Sequence, residues 1–172
     1  ADDETQWPAH LFHSTFETIH GAGYPATVHA GEVVGPESIA DAIALPGTRR
    51  IGHALTAYQD PQLMNRLLNQ GIHLELCPTS NVSTNQIAGV EDHPLLTYLN
   101  AGLSISVNSD DPIAFGNDIS TEYELLIRKF HLGVKDIEGI TMNAVDAAFA
   151  PDYVKARVRS LISQGYGGEV LA

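Results

Sequence analysis

The sequence predicts an α/β fold made of consecutive βα units, on three observations. Four short apolar, β-rich runs recur along the chain, helical patterns lie between them, and every run ends in polar residues capable of chemistry. The residues His29, His53, Cys77 and Asp110 close the four runs at spacings of 24, 24 and 33 positions, near the ~30 residues of a βα unit. An open doubly wound sheet shares this alternation but gathers its chemistry mainly at one switch point. Polar groups at the C-terminal end of every strand fit the catalytic face of a (β/α)8 barrel instead. Four units are half of eight, and the 172 residues fall short of the roughly 250 of a complete barrel. The expectation is a single partial domain over residues 1–172. It would be the C-terminal half of a TIM-type barrel, with about four βα units plus terminal helices, drawn from a longer enzyme.

Each element has its own signal. A helical stretch around His10 and His13 precedes the first run, Tyr24-Pro25-Ala26-Thr27-Val28, which ends at His29-Ala30-Gly31-Glu32. A helix from Glu37 to Leu45 places Ile39 and Ile43 on one face, and Pro46 stops it. The second run, Arg50-Ile51-Gly52, ends at His53. Asp60 then reads as an N-cap with Pro61 at the first helical position, Leu63 and Leu67 as an i, i+4 pair, and Gly71 as the C′ glycine. The third run, Ile72-His73-Leu74-Glu75-Leu76, leads into Cys77-Pro78-Thr79-Ser80-Asn81, read as a turn with no helix start at Cys77. A helix from His93 to Asn100 is closed by Gly102. The fourth run, Leu103-Ser104-Ile105-Ser106-Val107, ends at Asn108-Ser109-Asp110-Asp111. Thr121-x-x-Glu124 reads as a capping box for a helix through Phe130. Two more helices are expected, near Asp136 to Phe149 and Pro151 to Gln164.

Composition narrows the function classes. With 44% hydrophobic and 17% charged residues the chain can bury a core. Nine Lys and Arg against 21 Asp and Glu give a net charge of −12, the opposite of a phosphate-backbone binder's footprint. No apolar run approaches the ~20 residues of a membrane span. No signal peptide is visible at the start, and one cysteine excludes an internal disulfide framework. A reducing cytoplasm is the expected compartment. There is no Gly-rich phosphate loop and no G-x-S-x-G.

The strand ends carry the chemistry. His29 followed by Glu32 suits a metal ligand beside an acid/base carboxyl, or else a strand-end His with a solvated Glu. Adjacent carboxylates at Asp110 and Asp111 repel unless a cation or a proton relieves them, so one on a metal and one on substrate is a functional reading. A helix N-cap with a spare acid is the plain one. His53 is either a buried structural His or the partner of an attacking hydroxide. Cys77 has nothing to lower its pKa and reads as structural. His73-Leu74-Glu75 matches H-x-E, but the P-C-x-x-C that completes a cytidine-type zinc site is missing, so these are strand residues of one face. His10, His13, His20, His93 and His131 read as surface or capping residues.

Taken in order, Thr27-Val28-His29-Ala30-Gly31-Glu32, Ile51-Gly52-His53-Ala54, Glu75-Leu76-Cys77-Pro78-Thr79-Ser80-Asn81 and Asn108-Ser109-Asp110-Asp111-Pro112 resemble the adenosine deaminase family across nearly the whole chain. The resemblance implies a zinc-dependent barrel hydrolase that converts adenosine and deoxyadenosine to inosine and ammonia. It implies His29 and Asp110 as zinc ligands, Glu32 as the proton donor to purine N1, and His53 as the residue that orients the hydroxide. Asp111 would hydrogen-bond purine N7. Because N1 and N7 are bare acceptors, Glu32 and Asp111 would serve them only when protonated, which burial and like-charge crowding favour.

Two departures accompany the resemblance. The family's remaining zinc ligands form a His-x-His pair, which is absent here, so the missing N-terminal half-barrel is an expected partner. Asp2 stands where the family usually has a glycine whose backbone approaches the purine. Related alternatives are an adenine or modified-adenosine deaminase. A different class is a non-catalytic half-barrel that binds purines or assembles with a partner.

Overall fold

A computed structural model of the chain describes residues 4–167. A 3-10 turn at Ala9–Phe12 leads into α1 (His13–Gly21). Then follow β1 (Ala26–Ala30), α2 (Pro36–Ile43), β2 (Thr48–His53), α3 (Pro61–Gln70), β3 (His73–Leu76) and α4 (Pro78–Ser83). The order continues with α5 (Leu95–Asn100), β4 (Ile105–Val107), α6 (Pro112–Phe115), α7 (Ile119–Phe130), α8 (Val134–Ala147) and α9 (Asp152–Gly167).

The four strands form one parallel sheet in the order β1-β2-β3-β4. Each strand lies beside its neighbour in sequence, with no reversal of direction across the sheet. That is the progression of a barrel wall, whereas a doubly wound sheet turns back at its switch point. The register aligns His29 with Gly52, Gly52 with Glu75, and Glu75 with Ser106. These residues share one face, and the period of two sends Ile51, Leu74 and Ile105 to the other. There the apolar side chains meet Ile39 of α2, Leu63 and Leu67 of α3, Tyr98 of α5 and Leu126 of α7 in one buried cluster.

The opposite face, the interior of a barrel, is polar. Thr27 Oγ1 donates to Glu75 Oε2 at 2.6 Å, and Arg50 Nε lies 3.3 Å from Glu75 Oε1. Both nitrogens of buried His73 meet serine hydroxyls, Ser104 at 2.8 Å and Ser106 at 2.9 Å. His73 and Glu75 are thus strand residues of one face, as their spacing implies.

Four expectations need correction. The α7 capping box is built by Asp118 and Thr121, not by Thr121 and Glu124: Asp118 Oδ1 accepts from Thr121 N–H and Thr121 Oγ1 from Asp118 N–H, both at 2.8 Å. An aspartate accepts at an N-cap as well as a threonine does, and the helix it caps begins three residues earlier than a Thr121 cap implies. The Cys77–Asn81 turn is in fact a helix start, with Cys77 as N-cap and Pro78 at the first position of α4. His93 is buried, not on the surface, although it does cap: its Nδ1 accepts from Leu95 N–H at 3.1 Å. The helix expected over His93 to Asn100 begins at Leu95, after a 3-10 turn at Val90–Asp92. By contrast, α3 is as the sequence signals it, with Asp60 Oδ1 accepting from Gln62 and Leu63 N–H and Gly71 at φ 63°.

Candidate active site

The site lies at the C-terminal ends of β1, β2 and β4. Ligand atoms of His29, His53 and Asp110 all fall within 4.8 Å of one another, the only such group of three or more among the described residues. They line an open cavity of about 320 Å³ together with Gly52, Cys77, Asn108 and Ser109. His29 is the last but one residue of β1 and points from the polar face. Gly52, its partner in register, leaves room for the imidazole, since a Cβ there would sit 3.2 Å from His29 Cδ2.

His53 would fall on the apolar side if β2 continued. Instead the backbone turns left-handed at His53 (φ 64°) and Ala54 (φ 49°). Its ring stands 5.2 Å from that of His29, centroid to centroid. Asp110 is also left-handed, at φ 58°. Side chains bearing a Cβ seldom adopt this region, and such backbone gathers at functional sites. The phenol of Tyr98 braces the turn after β2 by donating to Ala54 O at 2.6 Å.

Two residues of α4 hold the chemical groups in place. Ser80 Oγ donates to Asp110 Oδ2 at 2.7 Å. The Asn81 side-chain amide donates to His53 Nδ1 at 3.2 Å. An imidazole that accepts at Nδ1 carries its proton on Nε2, and that atom lies 3.4 Å from Glu32 Oε2. Burial, then the nearby His29, pushes the pKa of His53 down to about 4, so the ring is neutral at pH 7. Burial, then the charges of Asp110 and Glu4, holds the Glu32 carboxyl above its ordinary range.

Of the sequence-predicted site residues, His29, Glu32, His53 and Asp110 come together. Asp111 is not one of the three-residue group, and its Oδ1 accepts from Ala114 N–H at 3.1 Å as the N-cap of α6. One of its oxygens thus makes the N-cap bond. Asp2 lies outside the described residues. Cys77 is buried, and burial followed by Asp110 pushes its thiol well above the usual range, the state of an inert side chain. Sequence reasoning gave Ser80 and Asn81 no task and passed over Glu4. The Thr79-Ser80-Asn81 stretch was visible as a motif, but no local signal says which side chain it would reach. His29 and Asp110 suit a metal ion, since an imidazole and a carboxylate are ordinary ligands of zinc and related cations, whereas His53, accepting at Nδ1 and protonated at Nε2, offers no free lone pair.

The family profile described as adenosine deaminase matches residues 1–165. Among curated relatives, the adenosine deaminase of Salmonella gallinarum is 42% identical over 163 residues, covering 95% of this chain and 49% of that protein. That of Erwinia tasmaniensis is 40% identical with the same coverage, 95% and 49%. The chain therefore spans about half the length of the curated relatives it matches. Among solved structures, the adenine deaminase of Arthrobacter aurescens superposes with a TM-score of 0.93 at 28% identity, covering 98% of this chain and 51% of that one. A zinc-bound amidohydrolase of Burkholderia ambifaria gives 0.87 at 26% identity, with coverage of 97% and 47%. The Arabidopsis ADAL structure in complex with IMP gives 0.80 at 28% identity, with coverage of 90% and 44%. The fold is thus half of a (β/α)8 barrel, with the four strands in consecutive order. On the match across residues 1–165, the chain belongs to the adenosine deaminase family.

Proposed function

We propose that this chain carries the acid, the orienting imidazole and two zinc ligands of a hydrolytic adenosine deaminase, acting with a complementary N-terminal half-barrel in a reducing cytoplasm. The observation that supports this best is the convergence of His29, His53 and Asp110 within 4.8 Å, with Glu32 Oε2 at 3.4 Å from His53 Nε2. His29 and Asp110 would hold the zinc together with a His-x-His pair from the complementary half, since two protein ligands fall short of the roughly three or more that catalytic zinc takes besides water. Zinc, when bound, lowers the pKa of water from 15.7 to about 7 and so makes hydroxide available at neutral pH.

The residues of this chain do the rest. Asn81 keeps the His53 proton on Nε2, so His53 meets the attacking oxygen as a hydrogen-bond donor and fixes its approach to purine C6. As the C6–O bond forms, electron density moves to N1, which takes a proton from Glu32. The raised pKa of Glu32 keeps a larger share of it protonated near neutrality than an ordinary glutamate. The C6 hydroxyl then gives up its proton to the amino group, so that C6=O forms as the C6–N bond breaks and ammonia leaves. Asp111 would meet N7 with the carboxyl oxygen that does not cap α6.

The curated relatives near 40% identity are named adenosine deaminases, which supports the nucleoside as substrate. The adenine deaminase at TM-score 0.93 keeps the free base as the second reading. The test is to assay adenosine and adenine turnover by the chain with zinc, alone and together with a complementary half-barrel bearing His-x-His. Adenosine turnover should appear only in the second mixture. A Glu32→Gln variant should lose roughly 100-fold or more in kcat, the usual contribution of a positioned acid. Full activity of that variant would remove Glu32 from the mechanism.

A further inference from the structure

The loop after β1, residues 31–34, carries Glu32 into the site, and its four consecutive backbone N–H groups all point at two side chains. Glu4 Oε2 accepts from Glu32 N–H at 3.1 Å, Val33 N–H at 2.7 Å and Val34 N–H at 3.1 Å. Ser38 Oγ accepts from Gly31 N–H at 2.8 Å and lies 3.5 Å from Glu4 Oε1. Consecutive amides curved around one point form a nest with a fixed positive potential, and a carboxylate in it makes charge-assisted bonds. The loop cannot take many other shapes. Gly31 is left-handed at φ 70° over Ile39, and its carbonyl accepts from Thr56 N–H at 3.2 Å.

We propose that Glu4 is a positioning residue for the acid. Its carboxylate holds the loop after β1 in the shape that brings the Glu32 side chain to His53, an inference that rests on the deaminase reading above. Glu4 touches the loop backbone rather than the reacting groups, and it reaches it from 28 positions earlier in the chain. Its effect is therefore on where the acid stands. A misplacement of about 1 Å in a reacting group is enough to cost on the order of 100-fold in rate. The charge of Glu4 acts in the same direction, adding to burial and Asp110 in raising the Glu32 carboxyl.

The test combines a backbone readout with kinetics on Glu4→Ala and Glu4→Gln. Amide hydrogen exchange reports the clamp directly. Glu4→Ala should speed exchange at residues 32–34 by about 10-fold or more while the β2 and β3 amides stay as protected as before, which also shows that the variant folds. Glu4→Gln, which keeps an acceptor oxygen but not the charge, should fall between. In the zinc-loaded mixture with the complementary half-barrel, kcat should fall by roughly 10-fold or more in Glu4→Ala, with KM changed by less than about threefold and partial recovery in Glu4→Gln. Unchanged exchange at residues 32–34 overturns the clamp. Faster exchange with unchanged kcat overturns the positioning role. Absence of turnover in the unmodified mixture overturns the deaminase reading and the catalytic half of this proposal, while the exchange data still decide the clamp.

Discussion

His53 shows how one residue's surroundings select one chemical form. Its Nδ1 accepts from the Asn81 amide and its Nε2 faces Glu32, so a buried, neutral ring presents a proton to the site. Asp110 is held in a similar way by Ser80, whose hydroxyl bonds Oδ2 at 2.7 Å. If Asp110 ligates the metal as proposed, this tether spares the cost of ordering it, and partners of this kind are worth about 10- to 100-fold in metal affinity. Ser80→Ala is expected to weaken zinc binding by about that factor in a competition titration with a chromophoric chelator. Unaltered affinity would leave Ser80 a packing residue. The residue is buried, and its loss removes a single oxygen, so the fold should persist.

Among the elements, the helices are defined by their caps and the strands by their alternation. Asp60 accepts from two N–H groups at the start of α3, at 2.8 and 3.2 Å, and Gly71 closes the helix in the left-handed region. Asp60→Ala should lower stability by about 1 kcal/mol, read as a shift in the urea midpoint at constant slope. A shift near zero would mean that packing of Leu63 and Leu67 alone sets the start of α3. The cap of α7 shows why the pattern there misled. Thr121 does take part in a box, but as its third helical residue bonding back to Asp118, and only the backbone trace distinguishes the two ends.

In the molecule as a whole, the apolar face of the sheet is covered by helices and the polar face carries buried or half-buried ionisable groups. Burial, then Arg50, pushes His73 down to about 4, and burial, then His53, pushes His93 down to about 3. Both folded-state values lie below the ~6.5 of an unfolded histidine. The unfolded chain therefore binds more protons between those values. The stability they contribute is complete above about pH 6.5 and is lost as pH falls toward the folded values. Thermal unfolding midpoints should drop steadily from pH 7 to pH 5, and a His73→Phe variant should show a shallower slope. A flat profile over that range would show that neither histidine stays neutral on folding. Among the described residues, no helix is long and apolar enough to cross a membrane.

The order of the strands, most of the helices between them, the half-barrel and the four strand-end motifs were legible in the sequence, because helix and strand periods, proline and glycine punctuation, and short motifs are local properties. So were His29, Glu32, His53 and Asp110 as candidate groups, which the structure brings together. The structure alone decided which of them meet. His53 enters the site only because its backbone leaves the strand in a left-handed turn, and its parity along β2 points the other way. Asp111 caps α6. Ser80, Asn81 and Glu4 gain their tasks through hydrogen bonds that span 28 or 30 positions. Such bonds depend on how strands align and where loops cross, and the pattern of neighbouring residues in a chain carries no record of distances between its remote parts.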